Sequence, residues 1–253
     1  MAIPIIIVSH KRAGSVTTHR IVPHALVCVP CSQAGEYLKH HREETLVVHP
    51  DSVVGLCAKR QWVYEKYGDV MMIDDDCVGM SRLHRPAGHP RRANATPQRT
   101  WEIMQATAET ARNIGAYLFG FNVHAHPRTY VPGRPIRLGG YSQWGFQGLL
   151  AGSKLWWPTN CTLPIDDYWI CLLNMHFHRY AYYDMRFALQ FRGTYTNPGG
   201  MSEFRKADSE KKATEYLVQH FGRDVVVPKT SPSNVTKRNV SAEKRKVMVP
   251  WPH

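Results

Sequence analysis

The chain has 253 residues, 43% of them hydrophobic and 21% charged, a composition that fits a folded globular protein and excludes a disordered or fibrous one. Its longest apolar run, Ile3 to Val8, is too short to span a bilayer, and no signal-peptide pattern is present, so no membrane and a cytoplasmic setting are expected. The net charge of +12 and pI near 9.5 point instead to a polyanionic partner.

In chain order, "IPIIIVSH" reads as a strand buried on both faces, followed by the loop "HKRAGS" and a short helix beginning near Ser15. "ALVCV" and "TLVVH" read as strands flanking a helix through "SQAGEYLKHH". "GLCAKRQWVYEKYG" places Leu56, Val63 and Tyr67 on one helical face with a glycine stop, and "DVMMID" forms a fourth strand ending on aspartates. Apolar strands alternating with helices predict an α/β fold with a mainly parallel sheet. Ligands of such sheets bind beyond the carboxyl ends of the strands, which is where Ser9 to Arg12 and Asp74 to Asp76 fall.

"TPQRTWEIMQATAETARNIG" reads as a helix capped by Thr96 or Thr100 and stopped at Gly115, and "AYLFGFN" as the strand after it. The Gly/Pro-punctuated "YVPGRPIRLGGYSQWGFQGLLAG" suggests shorter antiparallel strands in a less regular half. "PIDDYWICLLNMHFHRYA" is a helix opening with two acids, and "MRFALQFRG" is a late strand. "DSEKKATEYLVQHFG" is an amphipathic helix with Asp208 or Ser209 as cap and Gly222 as stop.

Positive charge is concentrated in two stretches rich in Pro, Asn, Ser and Thr, read as a loop and a tail. The first carries Arg82, Arg85, Arg91, Arg92 and Arg99 with no acid between them. The second runs from Lys229 to the end and includes Lys237 and Arg238, with one acid against six basic residues. They read as phosphate-binding segments or, alternatively, as solvated surface. The six cysteines read as reduced, mostly buried thiols, because Cys28 and Cys31 lack a second C-x-x-C pair to complete a zinc site.

Asp74-Asp75-Asp76 carries the chemistry. Three adjacent carboxylates repel unless a cation offsets them, and a hard ion such as Mg²⁺ or Mn²⁺ takes one or two carboxylates plus phosphate oxygens. In an extended segment the i, i+2 spacing turns Asp74 and Asp76 toward one locus and Asp75 away; an acidic turn is the plainer alternative. Asp166 and Asp167 suit either a helix N-terminus or a general base. His176 and His178, or Asp184, are candidate further ligands, although H-x-H on a helix splays the two rings. Gly199-Gly200 predicts a turn with positive φ, and Trp144, Trp156, Trp157 and Trp169 read as core, with one near the basic loop able to stack on a base or sugar.

The order of "IPIIIVSHKRA", "VVGLCAKRQWVYEKYGDVMMIDDDCVG", "FGFN", "PIDDYWICLL" and "NPGGM" resembles a GT-A fold glycosyltransferase. More narrowly it is similar to the phage TET-associated DNA glycosyltransferases, over roughly residues 3 to 205. That family opens with I-P-I-x-I-x-S-[KH]-x-R-[AW], matched at Ser9, Arg12 and Ala13. Its G-x-x-x-A-R-N-like helix start is met imperfectly by Gly55, Ala58, Lys59 and Arg60.

The resemblance implies a GT-A-like single domain over residues 1–228, with a nucleotide-sugar half to about 122, an acceptor half beyond it, and a basic tail over 229–253. It implies a metal-dependent, inverting transfer from a UDP-sugar to a hydroxymethylated pyrimidine, probed first as 5-hydroxymethylcytosine in double-stranded phage DNA, in the host cytoplasm. Asp76 and Asp74 are then the metal ligands; Ser9, Arg12, Arg60, Asp74 and Asp75 hold the nucleotide; Asp167, with Asp166 as alternate, is the base; and the arginines and lysines of the two basic stretches hold DNA phosphates. A glycan, lipid or protein acceptor, or a non-catalytic nucleic-acid-binding protein on the same fold, are the rival readings.

Overall fold

A computed structural model describes residues 2–84, 93–142, 144–192, 199–204, 208–228 and 245–247. Its centre is an eight-stranded sheet. Strand β1 (Ile5–Val8) pairs in parallel with β2 (Leu26–Pro30) on one side and with β4 (Val70–Asp74) on the other, and β2 pairs in parallel with β3 (Leu46–His49). Beyond β4 lie β8 (Phe146–Leu149), β6 (Leu118–Phe121), β9 (Tyr182–Asp184) and β7 (Ile136–Arg137), giving the order β3-β2-β1-β4-β8-β6-β9-β7. Strands β8 and β7 run antiparallel to their neighbours. They are the short antiparallel strands that the glycine-punctuated stretch predicts.

Period-two alternation explains why β1 and β4 are apolar throughout. Ile5, Ile7, Met71 and Ile73 face one core cluster, while Ile6, Val70 and Met72 face the other. The first cluster is closed by helix α3 (Pro97–Asn113) through Ile103, Met104 and Ala108, after a short helix, α1 (Ala34–Leu38), that contributes Tyr37. The second is closed by α2 (Leu56–Tyr67), α4 (Asp166–His178) and α5 (Ser209–Phe221) through Val63, Ile170 and Leu217. Thr96 caps α3 by accepting from the Arg99 amide, and Gly115 follows it with φ +74°.

Four local expectations change. The helix near Ser15 is instead a pair of 3-10 turns, Ala13–Ser15 and Thr18–Arg20. The buried side of α2 is Cys57, Ala58, Lys59, Arg60 and Val63, with Leu56 and Tyr67 only half-buried, so two cations occupy what looks like an apolar helix's core face. Two further strands form a separate sheet: β5 (Cys77–Arg82) pairs antiparallel with β10 (Phe187–Phe191). Within the basic tail, β12 (Arg245–Val247) pairs with β11 (Val226–Pro228). Among the described residues no helix is long and apolar enough to cross a membrane.

The chain runs from β1 outward to β3, crosses back through α2, and enters β4 on the opposite side of β1. This reversal opens a crevice at the carboxyl ends of β1 and β4, whose register pairs Val8 with Asp74.

Candidate active site

The three aspartates occupy that crevice, but not on one extended segment. Strand β4 ends at Asp74, and Asp75-Asp76 form the turn that takes the chain out of the central sheet into β5. The turn is clamped from behind. Thr18 Oγ1 donates to the Asp74 carbonyl at 2.6 Å and accepts from the Cys77 amide at 2.9 Å, and the Thr17 amide donates to the Asp75 carbonyl. Each carboxylate therefore has a fixed and different surrounding.

Asp75 is 3% exposed and turned inward: Arg12 Nη1 donates to its Oδ1 at 2.8 Å and Ser9 Oγ to its Oδ2 at 2.5 Å. Tyr37 completes this set, sharing a 2.6 Å hydrogen bond with Ser9 Oγ and accepting from the Arg12 amide. Asp74 receives Arg60 Nη2 at 2.9 Å. The same guanidinium reaches α4, where its Nε lies 2.9 Å from Asp166 Oδ2. Arg60 is fully buried; burial opposes its charge, and Asp166 and Asp74 outweigh that, so its pKa is raised. Lys59 next to it is also buried and donates to the Ser9 carbonyl, its pKa lowered by burial to about 8. Arg12 and Arg60 are thus not surface charges, and Ser9, Arg12 and Arg60 all touch aspartates from inside the fold.

Asp76 differs from its neighbours. It is 8% exposed, and among the described residues no side chain forms an ion pair with its carboxylate; its own backbone amide and the charge of Arg12 offset its burial only in part. Burial, and then the charges of Asp74 and Asp75, raise its pKa to about 7, and burial raises that of Asp74 to about 6. A buried carboxylate with no ion pair of its own, beside two others, fits a divalent cation. Among the described residues no cluster of three or more His, Cys, Asp or Glu side chains could hold a metal by itself. Asp76 and Asp74 could thus supply two ligands, with the remainder from water or from diphosphate oxygens. The further candidates do not add to them. Asp184 is gripped by Arg186 through Nε at 2.9 Å and Nη2 at 2.8 Å, His178 Nε2 is engaged by the Lys154 amide, and His176 is exposed.

The two acids opening α4 have separate partners. Asp166 belongs to the Arg60 bridge, and its carbonyl accepts from Trp157 Nε1 at 2.9 Å. Asp167 is half-buried; the Tyr141 hydroxyl donates to its Oδ2, and the Tyr168 amide to its Oδ1 at 2.8 Å. Burial, with the charge of Asp167 next, raises the pKa of Tyr141 well above its usual value, so Tyr141 stays a protonated donor.

The Gly199-Gly200 turn has the predicted positive φ, +77° and +58°. It docks on the loop after β1: the Gly200 amide donates to the His10 carbonyl at 2.9 Å, and Arg12 Nη2 donates to the Gly199 carbonyl at 3.1 Å. A Cβ on Gly199 would stand 2.8 Å from the Lys11 carbonyl oxygen, which is backbone and cannot swing aside. Gly199→Ala is therefore expected to displace the Arg12 loop, at about 1–3 kcal/mol, and to raise the donor KM about tenfold; steady-state kinetics and thermal melting check both.

Of the basic residues, Arg82 ends β5, and Arg99 lies exposed in the first turn of α3, 2.8 Å from Glu102. The Arg82 amide donates to the Ala93 carbonyl at 3.0 Å, so both ends of the arginine-rich segment are tied together beside β5. Arg85, Arg91, Arg92, Lys237 and Arg238 lie outside the described residues. Five of the six cysteines are buried and all are free.

Sequence reasoning gave no role to Tyr37, Tyr141 or the Thr17-Thr18 clamp, whose partners are remote in sequence. Lys59 left one usable signal: a Lys-Arg pair among small and apolar residues in a helix that packs on the sheet.

A mainly parallel sheet flanked by helices, with an acid-rich strand end at its reversal point and Asp166 brought to it by a buried arginine, is compatible with a GT-A-like domain. The sequence model of the TET-Associated Glycosyltransferase family matches residues 3–194, and the chain belongs to that family. A search of curated proteins found no match.

Proposed function

We propose that the protein transfers a sugar from a nucleotide diphosphate sugar, with UDP-sugars first in line, to the hydroxymethyl group of a modified pyrimidine in double-stranded DNA, 5-hydroxymethylcytosine being the leading acceptor. The observation that carries this reading is the buried Asp76 carboxylate, with no side-chain ion pair among the described residues, beside Asp74 at the sheet's reversal point.

Asp76 and Asp74 would hold a divalent Mg²⁺ or Mn²⁺ ion, which when bound neutralises charge growing on the departing diphosphate. The chain's own residues do the rest. Arg12, Ser9 and Tyr37 fix Asp75 and the β1 loop, so the nucleotide meets a preorganised wall. Arg60 holds Asp74 and Asp166 in register.

Asp167 is the general base. Tyr141 and the Tyr168 amide orient its carboxylate, and it is half-exposed where Asp166 is nearly enclosed. It takes the hydroxymethyl proton as that oxygen bonds to the anomeric carbon and the bond to the diphosphate breaks. One displacement with one base inverts the anomeric centre. Asp167→Asn should lower kcat about 10²–10⁴-fold with little change in stability, since the amide oxygen can still accept from the Tyr141 hydroxyl. Asp166→Asn should instead lower the melting temperature by weakening the Arg60 bridge. The reverse pattern would exchange the two roles.

Donor turnover tests the reading as a whole. The protein is incubated with Mg²⁺ or Mn²⁺ and a panel of nucleotide sugars, and nucleoside diphosphate release is measured. Release from a UDP-sugar that EDTA stops is the expected result. Release that EDTA does not touch would remove the metal from the account, and release from a donor other than a UDP-sugar would replace the nucleotide.

A further inference from the structure

Beside the aspartate turn lies a second concavity, of about 390 Å³, lined by Ser81, His124, His126, Trp144, Gln190 and Phe191 among others. Its position follows from hydrogen bonding. The Asp74 amide donates to the carbonyl of Gly145, the residue after Trp144, at 2.8 Å. Phe191 pairs in register with Cys77, the residue after Asp76, and the Arg192 amide donates to the Asp76 carbonyl at 3.1 Å. The cavity wall and the metal-binding turn are thus built on the same stretch of backbone. Gly145 makes the close fit possible: it sits at φ +79°, and a Cβ there would stand 2.9 Å from the Phe191 ring.

Trp144 is out of place for a core residue. Trp157 and Trp169 are 1% exposed, whereas Trp156, read as core, is 43% exposed and packs edge-on against Trp169, and Trp144 is 41% exposed at the cavity, with the His124 ring set edge-on at 5.7 Å to hold its orientation. A large exposed aromatic face at a cavity mouth has an unmet stacking surface. The polar side of the cavity is also ordered. Gln190 Nε2 donates to Ser81 Oγ at 2.6 Å and to Asn94 Oδ1 at 2.7 Å. With both N–H groups engaged, Gln190 presents its carbonyl oxygen, an acceptor suited to an exocyclic amino group. Ser81 is itself bridged to Asn94, so the two ends of the arginine-rich segment meet at the cavity rim.

We propose that this cavity is the acceptor-base subsite. A pyrimidine turned out of the duplex stacks on Trp144, its edge is read by Gln190, and its hydroxymethyl group is thereby delivered to the Asp74–Asp76 turn. The volume suits one base with its sugar, and extrusion carries the hydroxymethyl group, which otherwise projects into the major groove, to the enclosed strand end. The inference rests on DNA being the acceptor.

The test uses the full chain and the variants Trp144→Ala, Trp144→Phe and Gln190→Leu, with thermal melting to confirm folding. Acceptor and donor KM are measured on duplex containing 5-hydroxymethylcytosine. Trp144→Ala should raise the acceptor KM at least about tenfold more than the donor KM, with Trp144→Phe recovering most of the loss. Gln190→Leu should reduce discrimination between hydroxymethylcytosine and hydroxymethyluracil. A larger rise in donor KM than in acceptor KM would place the donor's sugar ring in the cavity and overturn the proposal.

Should the wild type transfer nothing to DNA, the functional reading fails separately, and tryptophan fluorescence decides the subsite. Quenching by the free nucleoside 5-hydroxymethyl-2′-deoxycytidine that is lost in Trp144→Phe supports base binding. Identical quenching in both, or none in either, overturns it.

Discussion

Asp76→Asn is expected to lower transfer by about 10³-fold or more while making the metal-free protein more stable above neutral pH. The two effects have one cause. In the folded chain the Asp76 carboxyl is buried and faces Asp74 and Asp75, so its pKa rises to about 7, well above the usual carboxylate range. The folded state consequently holds its proton more tightly than the unfolded chain does. Stability from this group is present at low pH and is lost as pH rises between about 4 and 7. At pH 8 the folded wild type carries the charge without an ion pair of its own, and an amide in its place relieves on the order of 1–3 kcal/mol. Melting curves across pH 5–8 should converge for wild type and variant at the acid end and separate at the alkaline end. Adding Mn²⁺ with UDP should raise the melting temperature of the wild type and leave the variant nearly unmoved. A variant that melts lower at pH 8 and retains activity would mean that Asp76 serves the turn's structure alone.

Arg60→Met carries the largest expected loss of stability, about 3–5 kcal/mol. The guanidinium is wholly enclosed and lies between Asp74, 2.9 Å away, and Asp166, also 2.9 Å away. Methionine fills much of the same volume, but two buried or half-buried carboxylates lose their shared cation. The cost lies in those stranded charges more than in the lost contacts, which gives the prediction a control. Asp74→Asn and Asp166→Asn combined with Arg60→Met should recover most of the stability in urea titrations while remaining inactive. If the triple variant unfolds as readily as the single one, Arg60 stabilises through packing and the bridge is incidental.

Much of the fold is legible because it is local. The apolar runs of β1 and β4, the Thr96 cap and Gly115 stop of α3, and the Gly222 stop of α5 each announce themselves within a few residues. Strand β5 does not, because its partner β10 is more than a hundred residues away and Cys-Val-Gly-Met-Ser-Arg has no clear alternation. The same limit applies to the site. The acids at the end of β4 and the start of α4 could be placed from the sequence, since strand ends and helix starts are local features. That Arg60 ties the two together could not, because an arginine in a helix reads as solvent-facing until its partners are known. The i, i+2 geometry of Asp74 and Asp76 failed for a related reason: the chain leaves the sheet after Asp74, and no residue in "IDDDCVG" marks the exit. Trp144, whose exposure depends on the turn at Gly145, was distinguishable from the buried tryptophans only in the fold.

The most direct measurement is the mass of the acceptor. Duplex DNA containing 5-hydroxymethylcytosine is incubated with the protein, Mn²⁺ and the donor panel, digested to nucleosides, and weighed. The account predicts a gain of one hexose or pentose on the hydroxymethylated nucleoside, absent from unmodified DNA and absent with Asp76→Asn. A donor consumed with no mass gained on DNA, or an equal gain with Asp76→Asn, would contradict it.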